Sequence, residues 1–150
     1  MLDTRLYPPT YRGKYSHMFP GDVAVWARFL DRFGEEYEGF YYDVMCGQAA
    51  KMFPRWQEPY HRDAYILSKL RIDALGVKDG SLDIIEVKPR GNMASIGQLL
   101  TYKEQYLKDY APQKPIRMVL VCAEVDPNIV SLAEKSAIAL YVMNQIDRKE

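Results

Sequence analysis

The stretch YILSKLRIDALGVKDGSLDIIEVK, residues 65–88, decides the fold of this chain. Two apolar runs flank Asp79-Gly80, and an Asp-Gly pair in that position is a strong signal for a β-hairpin with a type I′ turn. Because Asp79 and Gly80 are the two central residues of such a turn, Lys78 pairs with Ser81. The stretch therefore predicts two antiparallel strands with a defined register.

This register brings two acidic residues to one face of the hairpin. Asp73 lies opposite Glu86, which predicts a separation of about 4.5–5.5 Å between their Cβ atoms. Lys88 projects from the same face, opposite Arg71, because side chains alternate along a strand. The other face carries the apolar pairs, which are Ile72 with Val87 and Ala74 with Ile85. We therefore expect one face to join the core and the other to carry ionisable groups.

The facing carboxylates indicate a metal site. Like charges directly opposite each other destabilise a sheet unless a cation lies between them, and oxygen ligands favour a hard divalent ion such as Mg²⁺. Lys88 could then orient a water molecule and stabilise charge on a phosphate, which is chemistry suited to phosphodiester hydrolysis. The alternative is a surface network of ion pairs. We favour the metal site because these charges interrupt an apolar strand, where unpaired charge is costly.

The segments around the hairpin alternate between helical and strand patterns. Apolar spacings of three and four residues predict a first helix from Asp22, its N-cap, to Phe33, with Gly34 as a left-handed C-cap. Ser95 opens a second helix, which should end before Pro112. The remaining predicted elements are strands over residues 37–45, 116–122 and 137–142, an irregular connection containing Pro54 and Pro59, and a short helix from Asp126-Pro127 to about Lys135.

The composition predicts a single α/β domain, with a mixed central β-sheet flanked by helices over residues 22–150, preceded by an irregular arm over residues 1–21. The chain has 150 residues, of which 48% are hydrophobic and 27% charged, enough apolar material for one core. No apolar run is long enough to span a membrane, and the first twenty residues lack a secretory signal pattern. Only two cysteines are present, without the spacing of a zinc site. We therefore expect a cytoplasmic protein without a membrane anchor.

The candidate residues resemble a known nuclease family. Asp73, the run Glu86-Val87-Lys88 at the end of an apolar strand, and Gln98 with Tyr102 on the following helix are similar to the motif of the PD-(D/E)XK, or restriction-endonuclease-like, superfamily. The predicted element order is also similar to the αβββαβ core of that family over roughly residues 22–123. The phrase from Arg71 to Tyr102 especially resembles DNA-repair and resolvase-type members.

The resemblance implies a function and a set of site residues. It implies a metal-dependent deoxyribonuclease, an endonuclease of repair, resolvase or mobile-element type, with Mg²⁺ as cofactor and Mn²⁺ as a possible substitute. Asp73 and Glu86 would ligate the metal with the main-chain carbonyl of Val87. Lys88 would serve the nucleophilic water, and Gln98 would support the site or touch the phosphate backbone. The residues that we expect to contact DNA are Arg71, Arg90 and Tyr102.

Some of these residues also fit a purely structural role, and a third acidic ligand is not identified. Gln98 also fits a capping box with Ser95, and Tyr102 also fits a packed position on the helix. Many family members carry a glutamate on the first helix, whereas the acids on this one are Asp22 and Asp31. Three further acids lie nearby in sequence, and the pattern does not choose a third ligand among Glu35, Glu36 and Asp43.

A non-catalytic reading competes with the nuclease reading. The missing glutamate and the balance of 20 basic against 20 acidic residues would also suit a nuclease-fold module that binds DNA or protein in a nucleoprotein assembly. Because one small domain offers a limited DNA footprint, we expect a homodimer. The arm residues Tyr7, Tyr11 and Tyr15 could wrap DNA or a second subunit, although aromatic side chains more often pack in a core.

Overall fold

The computed structural model describes residues 5–48 and 69–146, with side chains described up to residue 144. The predicted connection containing Pro54 and Pro59 lies outside these residues. The α-helices are α1 (Pro20–Phe33), α2 (Met93–Tyr110), α3 (Val130–Lys135) and α4 (Met143–Ile146). The strands are β1 (Gly39–Cys46), β2 (Leu70–Val77), β3 (Leu82–Gly91), β4 (Ile116–Val125) and β5 (Ile138–Val142), and short 3-10 turns cover Gly34–Glu36 and Pro127–Ile129.

The five strands form one mixed sheet in the order β1-β2-β3-β4-β5. The pairs β1–β2 and β2–β3 are antiparallel, whereas the pairs β3–β4 and β4–β5 are parallel. Parallel neighbours need crossover connections, and here the crossovers contain α2 and the short helix α3. The protein is thus a small α/β domain with a mixed sheet, compatible with a restriction-endonuclease-like core, as the sequence predicts.

The sheet separates two apolar clusters, one beneath each long helix. The α1 cluster contains Trp26 and Phe29 together with Ile85 of β3, and the α2 cluster contains Leu99 together with Ile84. Because adjacent residues of a strand point to opposite faces, α1 and α2 cover opposite faces of the sheet. The central strand β3 therefore supplies core side chains to both layers.

The hairpin has the predicted register but a different turn. Ala74 pairs with Ile85 and Val77 pairs with Leu82, and the amide of Lys78 donates to the Ser81 carbonyl over 2.9 Å. Neither Asp79 nor Gly80 has a positive φ, which a type I′ turn requires at both positions. The type I′ prediction is therefore wrong. The turn is also held from outside, because the Lys114 ammonium group donates to the Lys78 carbonyl.

A local break in the pairing of β1 with β2 accompanies an error in the prediction of which residues of β2 share a face. Ile72 belongs to the α2 cluster, whereas Ala74 belongs to the α1 cluster, so the prediction that they share a face is wrong. The cause is an interruption of the β1–β2 ladder at Asp43, whose φ of 56° lies in the left-handed region. The interrupted position lies directly across from Asp73, where the β2–β3 ladder also ends.

Both long helices begin differently from the prediction. Helix α1 starts at Pro20 with Phe19 as N-cap, so Asp22 is not the cap but the third helical residue, whose carboxylate accepts from the Phe19 amide over 3.0 Å. Gly34 has a φ of −56° and continues into a 3-10 turn, so it is not a left-handed cap.

Helix α2 starts at Met93 instead of at Ser95. Its capping box joins Asn92 and Ser95, with the Ser95 amide donating to Asn92 Oδ1 over 3.2 Å and the Asn92 amide donating to Ser95 Oγ over 3.3 Å. The predicted box between Ser95 and Gln98 is therefore wrong. The helix ends at Tyr110, before Pro112 as predicted, with Ala111 in the left-handed conformation.

The arm packs onto the sheet through its tyrosines. Tyr7 forms an isolated bridge with Phe40 of β1, and the ring of Tyr15 lies 4.6 Å from that of Tyr42, centroid to centroid. Both cysteines, Cys46 and Cys122, are free and buried, and burial raises the pKa of each thiol to about 11. Within residues 5–48 and 69–146, no helix has the length and apolar character needed to cross a bilayer.

Candidate functional site

A pocket of about 420 Å³ opens beside the break in the sheet, between the first residues of α1 and the second turn of α2. The break matters because β2 and β3 no longer pair there, which leaves room between them for side chains. The residues that line the pocket are His17, Phe19, Gly21, Asp22, Asp73, Glu86, Val87, Lys88, Pro89, Gln98 and Tyr102. Six of the residues singled out from the sequence thus meet in one place, namely Asp73, Glu86, Val87, Lys88, Gln98 and Tyr102.

The two carboxyl groups at the pocket floor are nearly inaccessible. Asp73 is 5% exposed and Glu86 is 3% exposed, and the two carboxyl groups are close enough to interact electrostatically. Asp73 Oδ2 also accepts from the Val87 amide over 2.8 Å, a bond that occupies the position of the interrupted ladder. Burial raises the pKa of Asp73, and burial together with the Asp73 carboxylate raises the pKa of Glu86. Without a cation between them, the pair therefore resists full ionisation.

Two oxygen atoms in this pocket are buried without a hydrogen-bond partner in the described structure. They are Glu86 Oε2 and Gln98 Oε1. A buried polar atom left unsatisfied costs about 1–3 kcal/mol, so such atoms are rare in stable folds and mark places where a ligand or solvent atom binds. Since α2 is capped by Asn92 and Ser95, Gln98 has no capping role, and its side chain serves the pocket instead.

Lys88 and Tyr102 complete the surroundings of Glu86. Lys88 Nζ lies 3.7 Å from Glu86 Oε1, and its side chain is 35% exposed, so the ammonium group reaches the pocket from its open side. Tyr102 is 5% exposed in the α2 cluster, and it also lines the pocket together with Glu86. Burial and the Glu86 carboxylate raise the pKa of Tyr102, so the phenol stays neutral and can donate. Tyr102 is thus both packed and part of the site.

Three further lining residues lie outside the sequence motif. The sequence predicts Asp22 as a helix cap and offers it as an acid of the first helix without a defined role. In the structure it lines the pocket from the first turn of α1, and its charge adds to the raised pKa of Asp73. His17 lies in a left-handed turn with a φ of 71°, and its charge lowers the pKa of Asp73. Phe19 is 76% exposed. Their only sequence signal is the arrangement Phe19-Pro20-Gly21-Asp22, a helix start.

The other candidate acids and the two arginines lie away from the pocket. Arg71 donates to Asp43 through two guanidinium nitrogens, with Nε 2.7 Å from Asp43 Oδ1. The β2–β3 ladder does not extend to Arg71, so the structure does not pair it with Lys88. Arg90 is exposed on β3, beside Glu124 in the register with β4. Of the remaining acids, Asp31 pairs with Arg12 and Glu36 pairs with Lys78.

The oxygen atoms in the pocket suit a hard divalent cation that takes only a few ligands from the protein. Within residues 5–48 and 69–146, no group of three or more His, Cys, Asp or Glu side chains is arranged to hold a metal ion. Mg²⁺, however, usually takes one or two protein carboxylates and fills its octahedron with water and phosphate oxygens. Asp73 and Glu86 meet that requirement, and the unpartnered Glu86 Oε2 supplies an available ligand atom.

Residues 55–149, more than half of the chain, match the family of the Endonuclease NucS C-terminal domain. No curated protein and no solved structure matches the chain. The matched region includes β2, β3, α2 and β4, and hence Asp73, Glu86, Lys88, Gln98 and Tyr102, whereas α1 and the arm precede it. The chain therefore belongs to the family of the Endonuclease NucS C-terminal domain, a family of restriction-endonuclease-like nucleases.

Proposed function

We propose that this protein is a metal-dependent deoxyribonuclease of the PD-(D/E)XK type that hydrolyses phosphodiester bonds within DNA, in repair, resolution of DNA structures or mobile-element transfer. The observation that carries the proposal is the unpartnered, buried Glu86 Oε2 beside Asp73 and Lys88 in one open pocket. Membership of an endonuclease family supports the reaction class. A neutral protein with 20 basic and 20 acidic residues needs such a local site to recognise a polyanion.

The carboxylates of Asp73 and Glu86 would hold Mg²⁺, or Mn²⁺ in its place, with the main-chain carbonyl of Val87. When bound, the ion supplies a water of lowered pKa and neutralises negative charge on the phosphate. The two carboxylates are carried by β2 and β3 rather than by a loop, at the point where the paired part of these strands ends.

The remaining side chains would act directly on the substrate or on Glu86. Lys88 would donate a hydrogen bond to the attacking water or to a non-bridging phosphate oxygen, where negative charge grows as the water oxygen bonds to phosphorus. The attacking water would release one proton to solvent as its oxygen bonds to phosphorus, the phosphorus–oxygen bond to the leaving sugar would break, and that leaving oxygen would take up a proton from solvent. Tyr102 would orient Glu86 from the side of α2, and Gln98 Oε1 would accept a hydrogen bond from the attacking water.

The DNA backbone would run across the open side of the pocket, where Lys88 and Arg90 are accessible. Arg71 is paired with Asp43, and its partly exposed guanidinium group would contribute to DNA binding only through its charge. Contacts of this kind position a nucleic acid without reading its sequence. We therefore propose a nuclease that recognises DNA by its backbone and shape.

The decisive experiment compares wild type with Glu86→Gln on supercoiled, linear, single-stranded and branched DNA in Mg²⁺, Mn²⁺ or EDTA. We expect wild type to cleave at least one substrate in either metal and not in EDTA. Glu86→Gln keeps the shape of the side chain but removes its charge, and should reduce cleavage by at least about a hundredfold. Glu134→Gln, the same change at an exposed position on α3, serves as the matched control and should cleave as wild type does.

Two results would overturn the proposal. Cleavage by Glu86→Gln at the wild-type rate would remove the active site from this pocket. Binding of DNA or a protein by both variants, with no cleavage of any substrate by wild type, would establish the competing reading, a non-catalytic nuclease-fold module within a nucleoprotein assembly.

A further inference from the structure

An exposed aromatic ring, that of Phe19, lines the pocket without packing into either apolar cluster. Phe19 is 76% exposed, although most phenylalanine side chains are buried. It belongs to neither apolar cluster, and its ring contacts no other aromatic ring in the described part of the chain. Yet it lines the same pocket as Asp73, Glu86 and Lys88. The ring is therefore accessible to a ligand that occupies this pocket.

The backbone beneath this ring is firmly held. Phe19 is the N-cap of α1 in an extended conformation, with its amide donating to Asp22 Oδ2 over 3.0 Å and its carbonyl accepting from the Val23 amide over 3.0 Å. Pro20 follows and restricts the chain further. On the other side, the Met18 amide donates to the carbonyl of the buried Tyr15. The ring is therefore presented to solvent by a structured stem.

The chemistry of the pocket indicates what the ring contacts. One wall offers carboxylates and an ammonium group, which suit a metal-bound phosphate, and Phe19 faces the same space from the first turn of α1. A ligand with an anionic group and a flat apolar group a short distance away would satisfy both walls. A nucleotide has this combination, because its base lies one sugar away from its phosphate, and bases stack on aromatic side chains regardless of sequence.

We propose that Phe19 is a nucleotide-binding residue whose ring stacks on a base adjacent to the phosphate at Asp73 and Glu86. The proposal rests on the proposed nuclease function and adds a substrate contact from outside the catalytic motif. Since both faces of a paired base inside a duplex are covered by its neighbours, the ring can stack only on an unpaired or terminal base. The contact therefore favours DNA that is single-stranded next to the site.

The test measures DNA binding in a non-cleaving background. Phe19→Ala, Phe19→Leu and Phe19→Trp are each combined with Glu86→Gln, and dissociation constants are measured by fluorescence anisotropy in Mg²⁺ with a labelled single-stranded oligonucleotide and the matching duplex. The duplex is long enough that its interior binding sites far outnumber its two ends. Met93→Ala in the same background is the control, because Met93 is also 76% exposed but lies outside the pocket. Circular dichroism verifies that each variant is folded.

We expect Phe19→Ala to weaken binding of the single strand by about tenfold or more, since losing one stacked base typically costs that much. Phe19→Leu should bind almost as weakly as Phe19→Ala because it lacks a π face, and Phe19→Trp should restore affinity. Binding of the duplex should change by less than about threefold in every variant, and Met93→Ala should match its parent.

Three results would overturn the proposal. One is wild-type affinity of Phe19→Ala for the single strand, another is full affinity of Phe19→Leu, and the third is an equal loss for single strand and duplex. If the wild-type protein cleaves DNA while any of these holds, only the role of Phe19 fails. If the wild-type protein neither binds nor cleaves any DNA, the nuclease function fails and the role of Phe19 fails with it.

Discussion

Strand β3 buries two acidic side chains in opposite ways. Asp83 is fully buried and satisfied, accepting from the Tyr37 hydroxyl over 2.7 Å, from Ser81 Oγ over 2.8 Å and from the Arg117 guanidinium over 3.0 Å. Glu86 is buried almost as deeply but has an oxygen without a partner. Such a difference on one strand separates an acid whose contacts stabilise the fold from one whose oxygen is available to a ligand.

This contrast predicts opposite effects on stability. Asp83→Asn weakens the hydrogen bonds to Arg117, whose side chain is 35% exposed, and should lower the free energy of unfolding by about 1.5–3 kcal/mol. Glu86→Gln removes a carboxyl group whose charged form is disfavoured by burial and by Asp73, and should leave the protein equally stable or about 1 kcal/mol more stable in the absence of metal. Urea unfolding in EDTA, followed by circular dichroism, measures both. A large loss of stability in Glu86→Gln would mean that Glu86 is a structural residue.

Lys88 should affect the rate of cleavage and leave metal binding intact. Its ammonium group lies on the open side of Glu86 and is not a metal ligand, so Lys88→Ala should slow single-turnover cleavage by about a hundredfold or more. Calorimetric titration with Mn²⁺ should give an affinity within about threefold of wild type. Lys108→Ala, at an exposed position on α2, is the matched control. Loss of Mn²⁺ binding in Lys88→Ala would contradict the assigned role.

At the scale of single residues, sequence reasoning reached the site through the hairpin register. Once Lys78 pairs with Ser81, the register predicts that Asp73 lies opposite Glu86. The structure brings both residues and Lys88 into one pocket, although the ladder itself ends at Ala74 and Ile85. The arrangement of Asp43 did not follow, because a left-handed φ in a strand is set by tertiary contacts such as its ion pair with Arg71. Phe19 was missed for a similar reason, since nothing local places the start of α1 beside β3.

Among the elements, the start of α2 illustrates how two overlapping patterns compete. Asn92 and Ser95 have the spacing of a capping box, and so do Ser95 and Gln98. The earlier start prevails because it buries Ser95 with its hydroxyl satisfied and allows Ile96 and Leu99 to enter the α2 cluster. It also places Gln98 toward the pocket, so the choice of cap determines which side chain reaches the site.

The cap itself can be tested. Asn92→Ala removes the acceptor for the Ser95 amide and should lower the free energy of unfolding by about 1 kcal/mol, whereas Asn92→Asp keeps an acceptor and should remain within about 0.5 kcal/mol of wild type. Chemical denaturation of the three proteins provides the comparison. Equal stability of Asn92→Ala and wild type would show that the helix is not held by this cap.

For the whole molecule, the element order and the mixed sheet could be predicted because each apolar run has one period and clear turn residues at its ends. The turn type of the hairpin could not, because the Lys114 side chain reaches the Lys78 carbonyl from another part of the chain. The division of the core into two clusters also lay beyond local patterns, since Ile72 changes face at the break in β1.

The oligomeric state is a prediction at this scale. We expect a homodimer, because a single 17.4 kDa domain covers little DNA and two active sites are convenient for cutting two strands. Light scattering coupled to size-exclusion chromatography, at several protein concentrations, should give twice the mass of one chain. A mass of 17.4 kDa at every concentration would contradict the homodimer.

The position of β3 between β2 and β4, in contact with both α1 and α2, has a consequence for how the protein meets different DNA shapes. Amides of such a strand exchange hydrogen only when the whole domain opens, whereas the stem that carries Phe19 depends on a few local hydrogen bonds. Glu86 and Lys88 thus lie on a strand of high local stability, whereas Phe19 lies on a segment that only its own local hydrogen bonds hold in place. Differences among DNA structures should therefore appear in KM, while kcat stays nearly constant.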